Sequence, residues 1–257
     1  MRIVGVCLLV LSVPLSSLAQ PVDGECDDTL DSTGTLVADL GNVVAGTLPR
    51  PVPATPAFRT SPPTLRDDEL PFHVRGLDDT KLETALRAYA KANDRGLVAN
   101  PRLTIIDYSM PSTARRLWVI DPETGRVLMN ELVAHGQGSG DNVPTRFGNT
   151  NESHRTSLGV FRTAETYHGK HGYSLKLDGK DPGVNDAARD RAIVIHAADY
   201  VSDAFARARG RIGRSHGCPA VNPSVSRRLI DEIRGGSIVV SFGGDDAWVT
   251  RSPLAKP

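Results

Sequence analysis

The stretch AIVIHAADYVSDAFARARGRIGRSHGCPAVNP, residues 192–223, contains the elements that decide the predicted fold. It begins with AIVIHAA, a continuous apolar run that is typical of a buried β-strand. Residues 199–209 predict a short helix, and Asn222 followed by Pro223 predicts the cap and first turn of another. A turn that contains a single cysteine, Cys218, is therefore expected beside a buried strand.

The rest of the chain is also rich in predicted β-strands. Runs of β-branched and aromatic residues between turn signals predict strands at 103–109, 115–121, 125–136, 157–163, 172–179 and 237–242. Asp121 to Gly125 predicts a hairpin turn between the second and the third of these strands. Helical spacing of apolar residues predicts one helix from Asp78 to Gly96 and another over 223–234. The predicted fold class is therefore mainly β, with a few peripheral helices.

The N-terminus has the pattern of a secretory signal peptide. Arg2 precedes an apolar run over residues 3–15, and Ser17 with Ala19 forms a small-x-small cleavage signal. The apolar run is too short for a stable membrane span. Cys7 lies inside that run and not at the cleavage point, so we do not expect a lipid anchor. We therefore expect a signal peptide over residues 1–19 and a mature protein with no stable membrane span.

Composition divides the remaining chain and excludes some functions. We expect a Pro-rich flexible segment over 20–76, a helical lead-in over 77–100, a β-rich domain over 101–244 and a tail over 245–257. The 30 basic and 30 acidic side chains give a net charge of zero, which provides no electrostatic footprint for nucleic acid. No nucleic-acid partner is therefore predicted.

Cys218 has several possible chemical roles. Signal removal leaves Cys26 as its only possible disulfide partner, but Cys26 lies in a polar stretch near the new N-terminus, so we expect no structural disulfide. No second cysteine or histidine has the spacing of a metal site, and we predict neither a metal nor another cofactor. A buried inert thiol and a catalytic nucleophile remain as alternatives.

A catalytic thiol needs a base, and histidine is the usual one because its pKa lies near neutrality. Four histidines are relevant, and they are His135, His171, His196 and His216. His196 ends the buried strand, which would hold its ring rigidly, whereas His216 shares the turn of the cysteine and is less well placed. The alternative for His196 is a core histidine whose ring is satisfied by a backbone carbonyl. Gly217 permits a tight turn in which its own amide and that of Cys218 point at a developing oxyanion.

Several motifs together resemble one enzyme family. IVIHAADYV followed by GRSHGCPAV resembles the active-site motif of murein L,D-transpeptidases, the YkuD-like catalytic domain. SLGVFRT is similar to a strand of that family, with Ser157 and Leu158 in place of its first two residues. VAHGQGSGDN, RFGNTNES and GKHGYSLKLDG resemble a branch found in Gram-negative bacteria. The resemblance covers roughly residues 80–242 and implies a mixed β-sandwich or half-open barrel, so that 101–244 would be the catalytic domain.

The resemblance implies roles for individual residues. Cys218 is the nucleophile, His196 is its general base, and the main-chain carbonyl of Ala197 orients the imidazole ring. The residues expected to shape the turn and the oxyanion site are Ser215, His216 and Gly217, and those expected to bind substrate are His135, Tyr173 and Arg214. Pro219 and Ala220 replace the family's aliphatic–arginine pair after the cysteine, and Arg214 is the expected substitute.

The implied function is acyl transfer in the periplasm on the stem peptides of peptidoglycan. A monomeric enzyme would release D-Ala, form a thioester and build a direct cross-link between diaminopimelate residues, with carbapenems as substrate mimics. Water as acceptor would instead make it an L,D-carboxypeptidase or an endopeptidase. A non-catalytic wall-binding module is a weaker alternative because both Cys218 and His196 are present. A secreted thiol protease is weaker still, because no protease signature occurs.

Overall fold

The computed structural model describes residues 70–257 and shows one mixed β-sheet with three α-helices. The strands are β1 (Leu103–Asp107), β2 (Leu117–Ile120), β3 (Val127–Glu131), β4 (Val133–Ala134), β5 (Gly159–Gly169), β6 (Gly172–Gly179), β7 (Val194–Ala197), β8 (Ala220–Val221) and β9 (Ile238–Phe242). The helices are α1 (Asp79–Asp94), α2 (Asp203–Arg209) and α3 (Pro223–Ile233). The predicted signal peptide, most of the Pro-rich segment and Cys26 lie outside the described residues.

The sheet is nearly closed into a barrel. Its strand order is β3-β2-β1-β9-β5-β6-β7-β8-β4, and only the β1–β9 and β7–β8 pairs are parallel. β3 and β4 stand at opposite ends of this order, yet only Leu132 separates them in the chain. The chain therefore joins the two ends of the sheet. The predicted mainly β, half-open barrel with a few peripheral helices is confirmed.

The prediction of one strand over 125–136 is wrong. β3 pairs with β2, whereas β4 pairs with β8 at the other end of the sheet. One straight strand cannot pair with both ends, so the chain breaks at the buried Leu132. The predicted hairpin turn before it is present, because the Asp121 carboxylate accepts hydrogen bonds from the amides of Glu123 and Thr124.

Two other elements differ in length from their predictions. β5 continues past residue 163 to Gly169 and forms a long hairpin with β6, so His171 lies in the tight turn between the two strands. α2 begins at Asp203 and not at residue 199, because the Ser202 hydroxyl accepts the amide hydrogen of Phe205 and caps the helix there. α1 begins as predicted, with the Asp78 side chain as its cap.

The segment predicted as a tail, residues 245–257, packs against the body of the protein. Trp248 and Leu254 are buried in the main apolar core. The Ser252 hydroxyl donates a hydrogen bond to the buried carboxylate of Asp181, and Arg87 of α1 donates to the carbonyl of Ala255. The segment is therefore part of the folded domain.

The parallel pairing of β7 with β8 positions the predicted site. His196 lies opposite Ala220, and Ala197 lies opposite Val221. Adjacent strands of a sheet are about 4.8 Å apart, so the turn that carries Cys218 enters β8 directly beside the strand that carries His196. The side-chain amide of Asn222 donates to the carbonyl of Val201 and ties the chain after β8 to the chain after β7. Within residues 70–257, no helix combines the length and apolar character needed to cross a membrane.

Candidate active site

The His196 ring is held by a main-chain carbonyl. Its Nδ1 lies 2.9 Å from the carbonyl oxygen of Ala197, and the residue is only 1% exposed. A carbonyl oxygen can only accept a hydrogen bond, so Nδ1 carries the proton and Nε2 is the basic nitrogen. This is the geometry that the family resemblance implies for a general base with Ala197 as its orienting group.

Cys218 is a buried thiol that contacts an unusual backbone segment. The residue is 1% exposed, and its Sγ lies 3.6 Å from the carbonyl oxygen of Ala192. Ala192 has a φ of +50°, which is uncommon for a residue with a side chain. The carbonyl that contacts the thiol therefore belongs to a residue with an uncommon backbone conformation. Strained backbone of this kind is concentrated at functional sites.

Ser215 closes the turn that presents the cysteine. Its hydroxyl donates to the carbonyl of Cys218 at 2.6 Å and accepts the amide hydrogen of Gly217 at 3.1 Å. The Gly217 amide is therefore used inside the turn. The expectation that it points at the oxyanion is corrected, because its hydrogen is already donated to the Ser215 hydroxyl.

Gly217 has both a backbone and a packing reason to be glycine. Its φ is +129°, and a Cβ built on it would lie 2.9 Å from the carbonyl oxygen of Arg155. A side chain here therefore adds a steric overlap with fixed backbone to the cost of an unfavourable φ.

We expect Gly217→Ala to lower the free energy of unfolding by about 3 kcal/mol, because strain and overlap act together. Gly235→Ala is the matched control, since Gly235 also has a positive φ of +82° but has no atom within 4 Å of its Cβ position. This control should cost about 1 kcal/mol from backbone strain alone. Urea unfolding curves measure both losses, and equal losses would contradict the packing argument.

The His216 ring stacks on a second histidine. The His154 and His216 ring centroids are 3.9 Å apart with an interplanar angle of 8°. The Gln137 side chain lies 3.0 Å from Nδ1 of His154, and His154 has a φ of +51°. The stacking occupies one face of the His216 ring and links the cysteine turn to the loop that contains His154.

A cleft opens beside Ala197 and His171, which both contact His196. The His171 ring lies over His196 with centroids 4.4 Å apart, and its buried Nε2 has no hydrogen-bond partner within residues 70–257. The cleft has a volume of about 560 Å³, and its walls include Lys170, His171, Ala197, Asp199, Tyr200 and Phe205. Small-molecule sites commonly have volumes of about 300–1,000 Å³. This cleft is the candidate substrate site.

The His135 ring does not line this cleft. It is 0% exposed, and its Nδ1 accepts a hydrogen bond from Arg116 Nη2 at 2.8 Å. Burial and the charge of Arg116 lower the pKa of His135 to about 3, so the ring is neutral at neutral pH. The His135 carbonyl accepts the amide hydrogen of Ser215, which gives the residue a supporting contact with the cysteine turn. The expected contact of the His135 ring with substrate is corrected, because the ring is buried.

Tyr173 and Arg214 are engaged elsewhere. The Tyr173 hydroxyl donates to the Asp231 carboxylate on α3 at 2.8 Å. Nη1 of Arg214 donates to the carbonyl of Gly140 at 2.8 Å. Neither side chain lines the 560 Å³ cleft. The structure thus brings together the predicted nucleophile, base, orienting carbonyl and turn residues, but not the predicted substrate-binding set.

Sequence reasoning missed Arg191. Its guanidinium donates to the carbonyl of Gly148, the hydroxyl of Ser157 and the carbonyl of Arg155, at 2.9, 2.6 and 2.6 Å. An arginine directly before an apolar run is an ordinary strand flank, so no local pattern predicts that its guanidinium lies near the cysteine turn. His171 is one of the four histidines considered from the sequence. Its contact with the His196 ring follows from the β5–β6 hairpin, which the sequence does not predict.

Residues 70–257 contain no group of three or more His, Cys, Asp or Glu side chains arranged to hold a metal ion.

Residues 73–242 match the family model of the L,D-transpeptidase catalytic domain, which covers most of the chain. The chain belongs to this family. The family assignment confirms the resemblance drawn from the motifs around His196 and Cys218, while the Gram-negative branch stays a prediction. No curated protein matches the chain.

Solved structures that resemble the chain include other L,D-transpeptidases. One from Stackebrandtia nassauensis is 19% identical, with 65% of this chain and 67% of that chain covered and a TM-score of 0.34. One from Mycobacterium smegmatis is 14% identical, with 56% and 59% covered and a TM-score of 0.33. The helical cell shape determining protein Pgp2 from Campylobacter jejuni is 10% identical, with 66% and 58% covered and a TM-score of 0.39.

These structural likenesses carry no further argument at such TM-scores. The chain spans 50%, 59% and 62% of the length of three of the solved structures that it matches. The family assignment therefore rests on the family model.

Proposed function

We propose that the protein is an exported L,D-transpeptidase that acts on peptidoglycan stem peptides through a thioester on Cys218. The observation that carries this proposal is the pairing of β7 with β8 inside a chain of this family. It sets the Cys218 turn beside His196, whose Nδ1 is held by the Ala197 carbonyl. Export rests on the sequence of residues 1–19, and we propose the periplasm as the compartment.

The first half of the reaction forms the thioester. Nε2 of His196 takes the proton of the Cys218 thiol, and the thiolate attacks the carbonyl between the L-centre of diaminopimelate and the terminal D-Ala. The C–N bond of the tetrahedral intermediate then breaks. His196 returns the proton to the leaving amine, and D-Ala departs.

The second half resolves the thioester. The side-chain amine of a second stem attacks the thioester carbonyl and loses a proton to His196. The C–S bond breaks, the thiol of Cys218 is restored, and a direct link between two diaminopimelate residues results. The chemistry needs no ATP, because the energy of the peptide bond to D-Ala is retained in the thioester.

The 560 Å³ cleft supports a peptide substrate of this kind. Ala197 lies in its wall, so the cleft reaches the strand that carries the proposed base. The exposed side chains of Lys170 and Asp199 place one charge of each sign at its border. Such a border suits a ligand that carries both an ammonium and a carboxylate, as diaminopimelate does.

Digestion of purified disaccharide-tetrapeptides tests the proposal. With mature protein we expect release of D-Ala and formation of dimers with a direct diaminopimelate link, both identified by mass spectrometry. Tripeptide monomers without dimers would mean that water resolves the thioester and that the protein is a hydrolase. Unchanged tetrapeptides, with a fully folded protein, would contradict the proposal.

A further inference from the structure

Arg191 is a half-buried cation whose hydrogen-bond partners among residues 70–257 are all neutral. In this part of the chain they are the Gly148 and Arg155 carbonyls, the Ser157 hydroxyl and, at 3.5 Å, the Ser153 hydroxyl. No carboxylate within residues 70–257 forms an ion pair with it. A partly buried charge without a counter-ion costs stability, so the fold retains an uncompensated positive charge at this position.

That charge lies against the turn that presents the nucleophile. A Cβ built on Gly217 would stand 3.3 Å from Nη2 of Arg191, and Cys218 is the next residue. Burial lowers the pKa of the Arg191 guanidinium, and the negative charge of the Cys218 thiolate opposes this shift. The two groups are therefore close enough to interact electrostatically.

Arg189, a nearby arginine on the same segment, has different contacts from Arg191. Arg189 is exposed and forms ion pairs with Glu165 and Asp178, so its charge is already balanced. Arg191 is two residues further along the chain but donates to the carbonyls of Gly148 and Arg155, and its guanidinium lies near Gly217 of the cysteine turn. Of these two neighbouring arginines, Arg189 has carboxylate partners, whereas Arg191, which lies near the cysteine turn, has none within residues 70–257.

We propose that Arg191 is a positioning residue that supplies permanent positive charge to the Cys218 thiolate. This inference rests on the proposed role of Cys218 as nucleophile. The other titratable groups at the thiol are His196 from β7, His216 in the turn and Tyr108 after β1. Burial raises the pKa of Tyr108, so its phenol stays neutral at neutral pH. Arg191 remains charged, because a guanidinium does not deprotonate at physiological pH.

The test separates the charge of Arg191 from its hydrogen bonds. Arg191→Gln removes the charge but keeps an amide donor, and Arg191→Lys keeps the charge but removes the forked donors. The readout is the rate of alkylation of Cys218 by iodoacetamide against pH, followed by mass spectrometry of the peptide that contains it. Only the thiolate reacts, so the profile reports the apparent pKa of the coupled thiol and imidazole.

We expect Arg191→Gln to raise the midpoint of this profile by about one pH unit, which slows alkylation about tenfold below the midpoint. Arg191→Lys should stay within about threefold of the wild-type rate, since its charge is retained. Arg189→Gln is the matched control with the same loss of charge, and its profile should equal the wild-type profile.

A wild-type profile for Arg191→Gln, or equal slowing in Arg191→Gln and Arg191→Lys, would overturn the proposal in favour of a structural role. Circular dichroism establishes the folding of each variant first. If the Gln variant does not fold, Arg191→Met fills similar space without charge and is judged by the same criterion. Alkylation needs no peptidoglycan, so failure of the proposed transpeptidase activity would be seen separately, as absent muropeptide turnover by wild type with a normal alkylation profile.

Discussion

Cys218→Ser should fold normally and lose muropeptide turnover by about 1,000-fold or more, because the loss of a covalent nucleophile removes the main route of the reaction. His196 can deprotonate a thiol at neutral pH, but a serine hydroxyl is far less acidic. The substitution is nearly isosteric, and the new hydroxyl can still donate to the carbonyl of Ala192. Release of D-Ala from tetrapeptide donors, followed by mass spectrometry, measures the effect.

Cys26→Ser is the control for this variant. Cys26 lies outside the described residues, and the sequence predicts that it forms no structural disulfide with Cys218. The control should therefore keep wild-type turnover, and thiol titration of the mature protein should find two reactive sulfurs after denaturation without reductant. Comparable turnover by Cys218→Ser and wild type would remove Cys218 as the nucleophile.

His196→Ala should abolish acylation of Cys218 by a carbapenem, with a rate loss of about 100-fold or more. The family resemblance marks carbapenems as substrate mimics, and the adduct is seen directly in the intact mass of the protein. The expectation follows from the Nδ1 contact with the Ala197 carbonyl, which leaves Nε2 as the basic nitrogen beside the cysteine turn.

His216→Ala is the comparison that makes this prediction specific. It should slow acylation by only about tenfold, because its ring stacks on His154 and supports the turn rather than acting as the base. The Gly217 amide donates to the Ser215 hydroxyl. The Cys218 amide is therefore the remaining candidate donor to the oxyanion, and His216→Ala leaves it in place. Wild-type acylation by His196→Ala with a large loss in His216→Ala would reverse the two roles.

The elements that carry His196 and Cys218 could be predicted from sequence because their signals are local, whereas the roles of the two residues are implied by the family resemblance. A continuous apolar run that ends in His196 predicts a buried strand, and Gly217 before Cys218 predicts a tight turn. The cap formed by Asn222 and the first-turn Pro223 also appear as expected at the start of α3. Each of these signals depends on a few neighbouring residues, so one sequence is sufficient to read them.

Other features depend on contacts between distant segments and could not be predicted in this way. The break at Leu132 arises because β3 and β4 pair with opposite ends of the sheet. The burial of His135 depends on Arg116, which lies on the chain before β2. The position of Arg191 depends on the 148–157 loop, which no local pattern brings to the strand flank. Hydrophobic periodicity predicts which face of a helix or strand is buried, but it does not predict which other element packs against that face.

Trapping the acyl-enzyme tests whether Cys218 is the nucleophile. Wild-type protein is incubated with a tetrapeptide donor whose diaminopimelate side-chain amine is acetylated, so that the donor cannot act as acceptor, and the mixture is quenched in acid and digested for peptide mapping by mass spectrometry. We expect the stem without its terminal D-Ala to be attached to the peptide that contains Cys218, through a bond that hydroxylamine cleaves as a thioester. Release of D-Ala with no adduct on Cys218, or with an adduct on another residue, would show that Cys218 is not the nucleophile.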